Sequence, residues 1–422
     1  MLVVVLLSGF RHQYTKTMTT SICYHTQGIR GFHYKKTIRK NQTEYYHIIS
    51  SATEAVCPCC KSKQAQFFET AEQRSIRGLP IGLKKTVFIV QVRRVRCESC
   101  GVFARERLSF CPAPNVTYTK WLVKYVLALR REMSITAVAK FTGLHWQSVK
   151  EIEKRYLAKK YAKVRLGSVR RLGIDEVYLG RKFGFITVVR NMDSGAVLFI
   201  GKGKGGEALD PLKSRLRRKA GQIEAVAMDM SNAYSSWIGE VLPNAEIVYD
   251  HFHVIKLMNE RMDALRRSTM NKLDEEQKKE LKGQRYLFLR NQEDLSGKAR
   301  RTLKKLRFEY ADLGTASMMK EYLRNIYRMA DGVNTARDAF MLWCDKAEAS
   351  AIHCLKQMAK TIRKRLEGLL AFWKHDRLTS ASQEGFNNKI GWLTRQAYGY
   401  RDQEFLHLKI YDLPNLSTRK EL

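Results

Sequence analysis

Hydrophobic periodicity divides the chain into stretches of different character. Residues 1 to about 115 hold short β-patterned runs: Leu2 to Leu7, read as a first strand, then Gly31-Phe-His-Tyr-Lys-Lys-Thr-Ile and Lys85-Thr-Val-Phe-Ile-Val-Gln-Val-Arg. From Thr119 to about Lys160 the period lengthens to three and four residues. Trp121, Leu122, Tyr125, Val126 and Leu129 then form one helical stripe, and Pro112 with Pro114 predicts a boundary where the period changes. Strands return between Arg171 and Ala227, in Arg171-Leu-Gly-Ile-Asp-Glu-Val-Tyr, Gly184-Phe-Ile-Thr-Val-Val-Arg, Ala196-Val-Leu-Phe-Ile and Ile223-Glu-Ala-Val-Ala-Met, with a helical stretch from Gly206 to Arg217 before the last. Three strands, a helix and a further strand predict a mixed sheet in an α/β domain. Residues 260 to about 375 are poor in Gly and Pro and dense in Leu, Lys, Arg and Glu, which predicts a helical insertion. The expected organisation is multidomain α/β. A β-rich module spans 1–115 and a helical domain 116–165, and a sheet domain at 166–262 is interrupted by helices over 263–375 and completed by 376–422.

Charge narrows the class of partner. The 422 residues include 76 Lys and Arg against 41 Asp and Glu, a formal net charge of +35. A field of this sign and size favours a polyphosphate, so nucleic acid is the first partner to consider. The longest apolar run, Leu2 to Leu7, is far short of the roughly 20 residues of a membrane-spanning helix. With no basic residue before it and no small-residue cleavage site close behind, it also makes a poor signal peptide.

Nine cysteines, an odd number spread along a long chain, do not read as a secreted disulfide scaffold. Four of them form two C-x-x-C knuckles, Cys57-Pro-Cys-Cys60 and Cys97-Glu-Ser-Cys100, about 36 residues apart. Two such turns complete a tetrahedral Cys₄ zinc site with no open position, hence a structural one. A β-ribbon such as Lys84 to Arg96 would fill the interval. The alternatives are a set of unrelated reduced thiols, or Cys59 in place of Cys60 as ligand.

Ser134-Ile-Thr-Ala-Val-Ala-Lys-Phe-Thr-Gly-Leu-His-Trp-Gln-Ser-Val-Lys has a helix-turn-helix outline. Ser134 caps a helix bearing Val138 and Phe141, Gly143 supplies the turn, and a second helix starts near His145. That helix would present His145, Trp146, Gln147, Ser148 and Lys150 to a DNA groove, although helical hairpins with a Gly turn are common as purely structural elements. Two acids stand out further on. Asp175 lies inside an apolar strand and Asp229 just past another; a desolvated carboxylate needs compensation, and a metal ion supplies it. A solvated strand end explains Asp229 as simply.

Gly173-Ile-Asp-Glu, Met228-Asp-Met-Ser-Asn-Ala-Tyr, Pro243-Asn-Ala-Glu-Ile-Val-Tyr-Asp-His-Phe-His-Val-Ile-Lys, and Glu384-Gly-Phe-Asn-Asn-Lys-Ile with Ala397-Tyr-Gly-Tyr-Arg resemble the ISL-three family of bacterial insertion-sequence transposases. The resemblance takes in the cysteine knuckles and the helix-turn-helix in the family's order, so it covers nearly the whole chain. It implies an RNase H-like catalytic core whose Asp-Asp-Glu triad binds two divalent metals, Mg²⁺ or Mn²⁺. Asp175, Asp229 and Glu384 match the three acids, about 54 and about 155 residues apart, with the helical insertion inside the second interval. Two such ions activate water or a 3′-hydroxyl and stabilise the leaving oxygen, so no protein nucleophile is required.

The resemblance also implies auxiliary groups. Asn387 and Asn388 share the helix face of Glu384 and would contact DNA or the carboxylates, the alternative being a polar, solvated helix face. Asp250-His-Phe-His253 looks like a D-x-x-H element, with Asp250 capping a helix and His253 on its first turn near the acids, and reads equally as a structural N-cap with a hydrogen-bonded His, while His251 is expected to face solvent. The basic runs Lys213 to Lys219, Arg300 to Arg307 and Lys360 to Arg365 are candidate phosphate contacts, equally readable as solvated faces. Gly201-Lys-Gly-Lys-Gly-Gly lacks a Walker ending and reads as a loop. The reading is a DNA transposase that binds terminal inverted repeats and needs no ATP. It would carry structural Zn²⁺, self-associate in synapsis and reside in the bacterial cytoplasm with the nucleoid. The alternatives are a non-catalytic, transposase-derived regulator and a metal-dependent nuclease without strand transfer.

Overall fold

The computed structural model describes residues 22–416 apart from 231 and 380, so the run Leu2 to Leu7 lies outside the described residues. The chain divides into two units, Met1–Lys159 and Lys160–Leu422.

The first unit opens with α1 (Ile22–Gln27) and a sheet of β1 (Phe32–Lys40), β2 (Thr43–Ser50), β3 (Ala65–Arg77), β4 (Lys85–Cys97) and β5 (Phe103–Arg105). Strand order is β1-β2-β4-β3, with β5 also on β4. Asn41 and Gln42 join β1 to β2 with φ of 46° and 57°, the left-handed pair that a two-residue hairpin demands. β4 is central and buried on both faces from Thr86 to Val90, which is why its sequence runs apolar rather than alternating. The predicted ribbon between the knuckles is therefore the antiparallel β3–β4 pair. Three helices follow: α2 (Lys120–Glu132), α3 (Ile135–Thr142) and α4 (Trp146–Tyr161). Thr119 caps α2 by accepting from the Leu122 N–H at 3.1 Å, and Ser134 caps α3 through Ala137 at 3.1 Å. Gly143 ends α3 at φ 66°, a left-handed C-cap. Leu122, Val126, Val138, Val149 and Ile152 form a core of their own, while Trp121 of the expected stripe stays half-exposed.

The second unit is built on β6 (Arg171–Tyr178), β7 (Phe185–Asn191), β8 (Val197–Lys202), β9 (Ala225–Met228) and β10 (Glu246–Tyr249), in the order β10-β9-β6-β7-β8. β6, β7 and β8 form an antiparallel meander, whereas β9 and β10 run parallel to β6. Crossovers to the parallel strands use α5 (Asp210–Arg217) and α6 (Asn232–Val241). After β10 come α7 (His251–Met270), α8 (Glu275–Leu281), α9 (Arg285–Leu289), α10 (Gly297–Glu309), α11 (Ala311–Met329), α12 (Val333–Ala349), α13 (His353–Lys364) and α14 (Leu366–Lys374). These helices carry the expected insertion. Their core, with Leu323, Phe340, Trp343 and Met358, is continuous with Leu172, Ile174 and Val226 on one face of the sheet. The other face, with Val177, Ile186 and Val188, is covered by α15 (Ala381–Gln396) and α16 (Gln403–Asp412) through Phe386, Ile390, Leu406 and Ile410. Side chains alternate across β6, so Asp175 falls on the α15 face and Glu176 on the α6 face.

Candidate active site and metal centre

The two knuckles in the first unit repeat one backbone pattern. Cys57 donates its N–H to Ser62 and accepts from Lys61, and Cys97 donates to Val102 and accepts from Gly101. Lys61 and Gly101 turn the chain at φ 66° and 68°. The sulfurs of Cys57, Cys60, Cys97 and Cys100 lie within 4.8 Å of one another. Two of the Sγ pairs, Cys57 with Cys100 and Cys60 with Cys97, stand 3.6 Å apart. Cys59 is exposed and outside the cluster, and its N–H donates to Cys57 Sγ at 3.4 Å. Burial alone would raise the Cys57 thiol, but the N–H groups of Cys60 and Cys59 outweigh it and bring the pKa down to about 6. A thiol that ionises this readily fits a soft divalent cation.

In the second unit three acids fall in one row across the parallel strands. β6 pairs with β9 as Gly173 with Ala227, and β9 with β10 as Met228 with Tyr249. Continuing those registers sets Asp175, Asp229 and Asp250 level with one another. The row lies at the carboxyl ends of β9 and β10, where open α/β sheets place their ligands. Asp175 is the most constrained of the three. Its Oδ1 accepts from the Glu176 N–H at 2.8 Å and its Oδ2 from Asn387 Nδ2 at 2.6 Å. Burial raises the Asp175 pKa and the charge of Asp229 adds to the rise, while the two N–H donors and His253 oppose it. Asn387 Oδ1 is buried with no hydrogen-bond partner, an orphaned acceptor beside a desolvated carboxylate. Hard oxygen donors around an excess of negative charge are what a Mg²⁺-class ion requires.

Helix α15 reaches Asp175 because its buried residues recur at helical spacing. Gln383, Phe386, Ile390 and Leu393 face the sheet. Arg190 on β7 holds the helix start by donating to the Ser382 carbonyl at 2.8 Å, and its guanidinium lies 4.2 Å from the Phe386 ring centroid. Burial lowers the Arg190 pKa to about 10. Glu384 and Asn388 are exposed on the flank that Asn387 turns toward Asp175. Among the described residues the four thiols are the group close enough to share a metal ion, so Glu384 is not drawn in with the two Asp carboxylates.

Asp250 is almost fully buried and caps α7, accepting from the Phe252 N–H at 2.8 Å. His253 is half-buried on the first turn. His251 is partly open to solvent, as expected, and its ring also packs 5.5 Å from Tyr327 and 5.8 Å from Phe372. The insertion's aromatic side chains, distant in sequence, reach back to this turn. Tyr234 on α6 was not singled out in the sequence. It is buried and joins Thr187, the Gly205 N–H and Glu176 at 2.9–3.0 Å, bracing β6 from the face opposite Asp175. Its place in the Ser-Asn-Ala-Tyr segment was the available signal.

His145, Trp146 and Gln147 are exposed at the start of α4, with Ser148 and Lys150 half-buried. The basic runs are largely engaged within the protein. Lys213 and Arg217 pair with Glu240, Lys305 with Glu280 and Glu309, and Arg363 with Asp345 and Glu348.

The transposase model of the ISL-three DDE family matches residues 172–410, and that for the zinc-finger of transposases IS204, IS1001, IS1096 and IS1165 matches residues 53–100. The transposase for insertion sequence element IS1001 of Bordetella parapertussis is 34% identical over 364 residues, covering 85% of this chain and 89% of the relative. The chain belongs to the ISL-three family of DDE transposases. A second relative of this transposase, that for IS1557 of Mycobacterium tuberculosis, is 25% identical over 84% of this chain and 85% of its own length. The Drosophila P element transposase strand transfer complex aligns at 10% identity and a TM-score of 0.39, covering 70% of this chain and 91% of that one. The ISL-three transposase therefore carries a four-cysteine zinc ribbon in its first unit. No helix among the described residues is long and apolar enough to cross a membrane.

Proposed function

We propose that this transposase cuts and joins DNA at the terminal inverted repeats of its insertion sequence, using Asp175, Asp229 and Glu384 on an RNase H-like core. The single observation that carries the assignment is the 2.6 Å hydrogen bond from Asn387 to Asp175. It ties the helix bearing Glu384 to the strand bearing Asp175, across about 209 residues of chain. The meander followed by two parallel strands, in the order β10-β9-β6-β7-β8, supports the RNase H-like reading.

The three acids would hold two divalent ions, Mg²⁺ or Mn²⁺, which when bound polarise the scissile phosphate and lower the pKa of attacking water. Asn387 fixes the Asp175 rotamer and favours its anion. His253 stands near the same carboxylate, Asp250 anchors the helix that carries it, and Asn388 lies exposed on the Glu384 flank to meet DNA. Cys57, Cys60, Cys97 and Cys100 would be the zinc ligands, with Cys59 set aside because its sulfur is not among the four clustered thiols. The capped helices α3 and α4 act as a helix-turn-helix whose His145, Trp146, Gln147, Ser148 and Lys150 meet the repeat. Two ends are held by more than one protomer.

The test is cleavage of labelled duplex carrying the element's own ends, with and without magnesium, by wild type and Asp229→Ala. Magnesium-dependent cuts at the repeat boundary that vanish in the variant are expected. End-specific binding without cleavage under either metal would replace this reading with that of a regulator.

A further inference from the structure

The site above leaves unused a cavity of about 730 Å³ between α7, α9, α11 and α14. Ligand pockets run from about 300 to 1,000 Å³, so its size suits a nucleotide. We propose that this cavity receives a nucleotide, its base between aromatic walls and its phosphate at a cationic mouth.

Three independent features point to that chemistry. The walls are aromatic: His251, Tyr327 and Phe372 line it, and Phe252 beside them is 47% exposed. Tyr327 is itself stacked on Trp373, at 5.3 Å and 13°, and packs against His251 and Phe372, so that wall is rigid. Flat apolar surfaces of this kind accept any base by stacking. The lining also holds unsatisfied polar groups. The Tyr327 hydroxyl, on a side chain only 6% exposed, and Asn259 Oδ1 are both buried without a hydrogen-bond partner. A hydroxyl and an amide acceptor can answer the mixed donors and acceptors of a base edge, which a hydrocarbon ligand would leave unpaired. The mouth carries Lys256, Arg267, Arg285, Arg324 and Arg328 against Glu260 and Asp263. Asp263 is shared by Arg266, Arg267 and Arg285, and Arg324 pairs with Glu321 as well as sharing Glu293 with Arg328, whereas Lys256 has no ion-pair partner among the described residues.

The cavity begins on the first turn of α7, beside His253. If the proposed active site holds, a nucleotide next to the scissile phosphate is the nearest source, extruded from the duplex as the ends are cut. A free nucleotide presents the same base and phosphate. Extrusion would give the helical insertion a task at the reaction: holding the flanking base out of the stack so that the phosphodiester can enter the carboxylate row.

The experiment separates the two sources and does not depend on catalysis. Full-length Asp229→Ala protein is photocrosslinked to element-end duplexes carrying 5-iododeoxyuridine at one position at a time, and separately to 8-azidoadenosine triphosphate. Adducts are located by mass spectrometry. The expected result is an adduct on Phe252, Tyr327 or Phe372 from a single DNA position. Adding Asn259→Leu or Lys256→Glu should reduce it fivefold or more, with melting temperatures confirming that both variants fold. Labelling of the same residues by the azido nucleotide alone would keep the pocket and assign it to a free nucleotide. It would then stand even if the cleavage reading failed. Adducts from neither probe at these residues, or adducts undiminished by both substitutions, would overturn the proposal.

Discussion

The four thiols of the first unit and the acidic row of the second are assembled in opposite ways. Each thiol pair comes from one four-residue turn whose local backbone aims the sulfurs, so the cluster is complete within 4.8 Å. The proposed catalytic acids come from a central strand, the end of a neighbouring strand and a helix far along the chain, and the last of them, Glu384, lies outside the row itself. Asp175 is fixed by direct side-chain bonding from that helix. A structural metal needs a closed, preformed cage, whereas a catalytic one needs positions left open for substrate oxygens. The looseness at Glu384 matches the second requirement.

The sharpest way to break the comparison is to remove one member from each set. Asp175→Ala should abolish end cleavage by about 10³-fold or more, roughly 4 kcal/mol of transition-state stabilisation, while leaving zinc content unchanged. Single-turnover cleavage and metal analysis read both. Cys60→Ser should do the reverse to the first unit. Structural zinc supplies folding free energy outright, so loss of the metal is expected with destabilisation on the order of 3–5 kcal/mol, visible by calorimetry.

A smaller effect tests the bond that joins helix to strand. Asn387→Ala removes a hydrogen bond to a charged group, worth about 1.5–3 kcal/mol, and should slow cleavage about tenfold or somewhat more. The sign of the pH effect follows from the shift at Asp175. Burial already raises its pKa, and losing a donor to the anion raises it further, so the acid limb of the rate profile should move to higher pH. The same shift makes ionised Asp175 a liability for folding above its folded pKa, a cost relieved as pH falls through that value. Asp175→Asn should therefore melt higher than wild type at neutral pH, with the difference shrinking in acid. At the small end, Gly143→Ala forces a left-handed C-cap and should cost about 1 kcal/mol. Cys59→Ser should stay within about 0.5 kcal/mol of wild type and keep its zinc.

What could be read in the chain tracks the same contrast. The knuckles and the β-ribbon between them were legible because their determinants are contiguous. So were Ser134 and Gly143, since a cap and a left-handed turn are written in one or two residues. Cys59 and Cys60 could not be told apart until the turn geometry turned one sulfur inward. Asp175 and Asp229 were visible as acids at strand positions, but their alignment depends on a parallel register between non-adjacent segments. The packing of His251 depends on aromatic residues more than 70 positions away. Arg190 carried no local mark, because it acts by reaching an element that folds from elsewhere, and Tyr234 was marked only by its place in the Ser-Asn-Ala-Tyr segment.

Glu384 is the part of the proposed triad held least directly, and so the most telling to measure. Single-turnover cleavage of element-end DNA in magnesium by Glu384→Gln, beside Asp229→Ala, is the direct test. Both variants are expected to bind the ends like wild type and to lose cleavage to the same extent. Cleavage by Glu384→Gln at the wild-type rate would contradict a triad completed by helix α15.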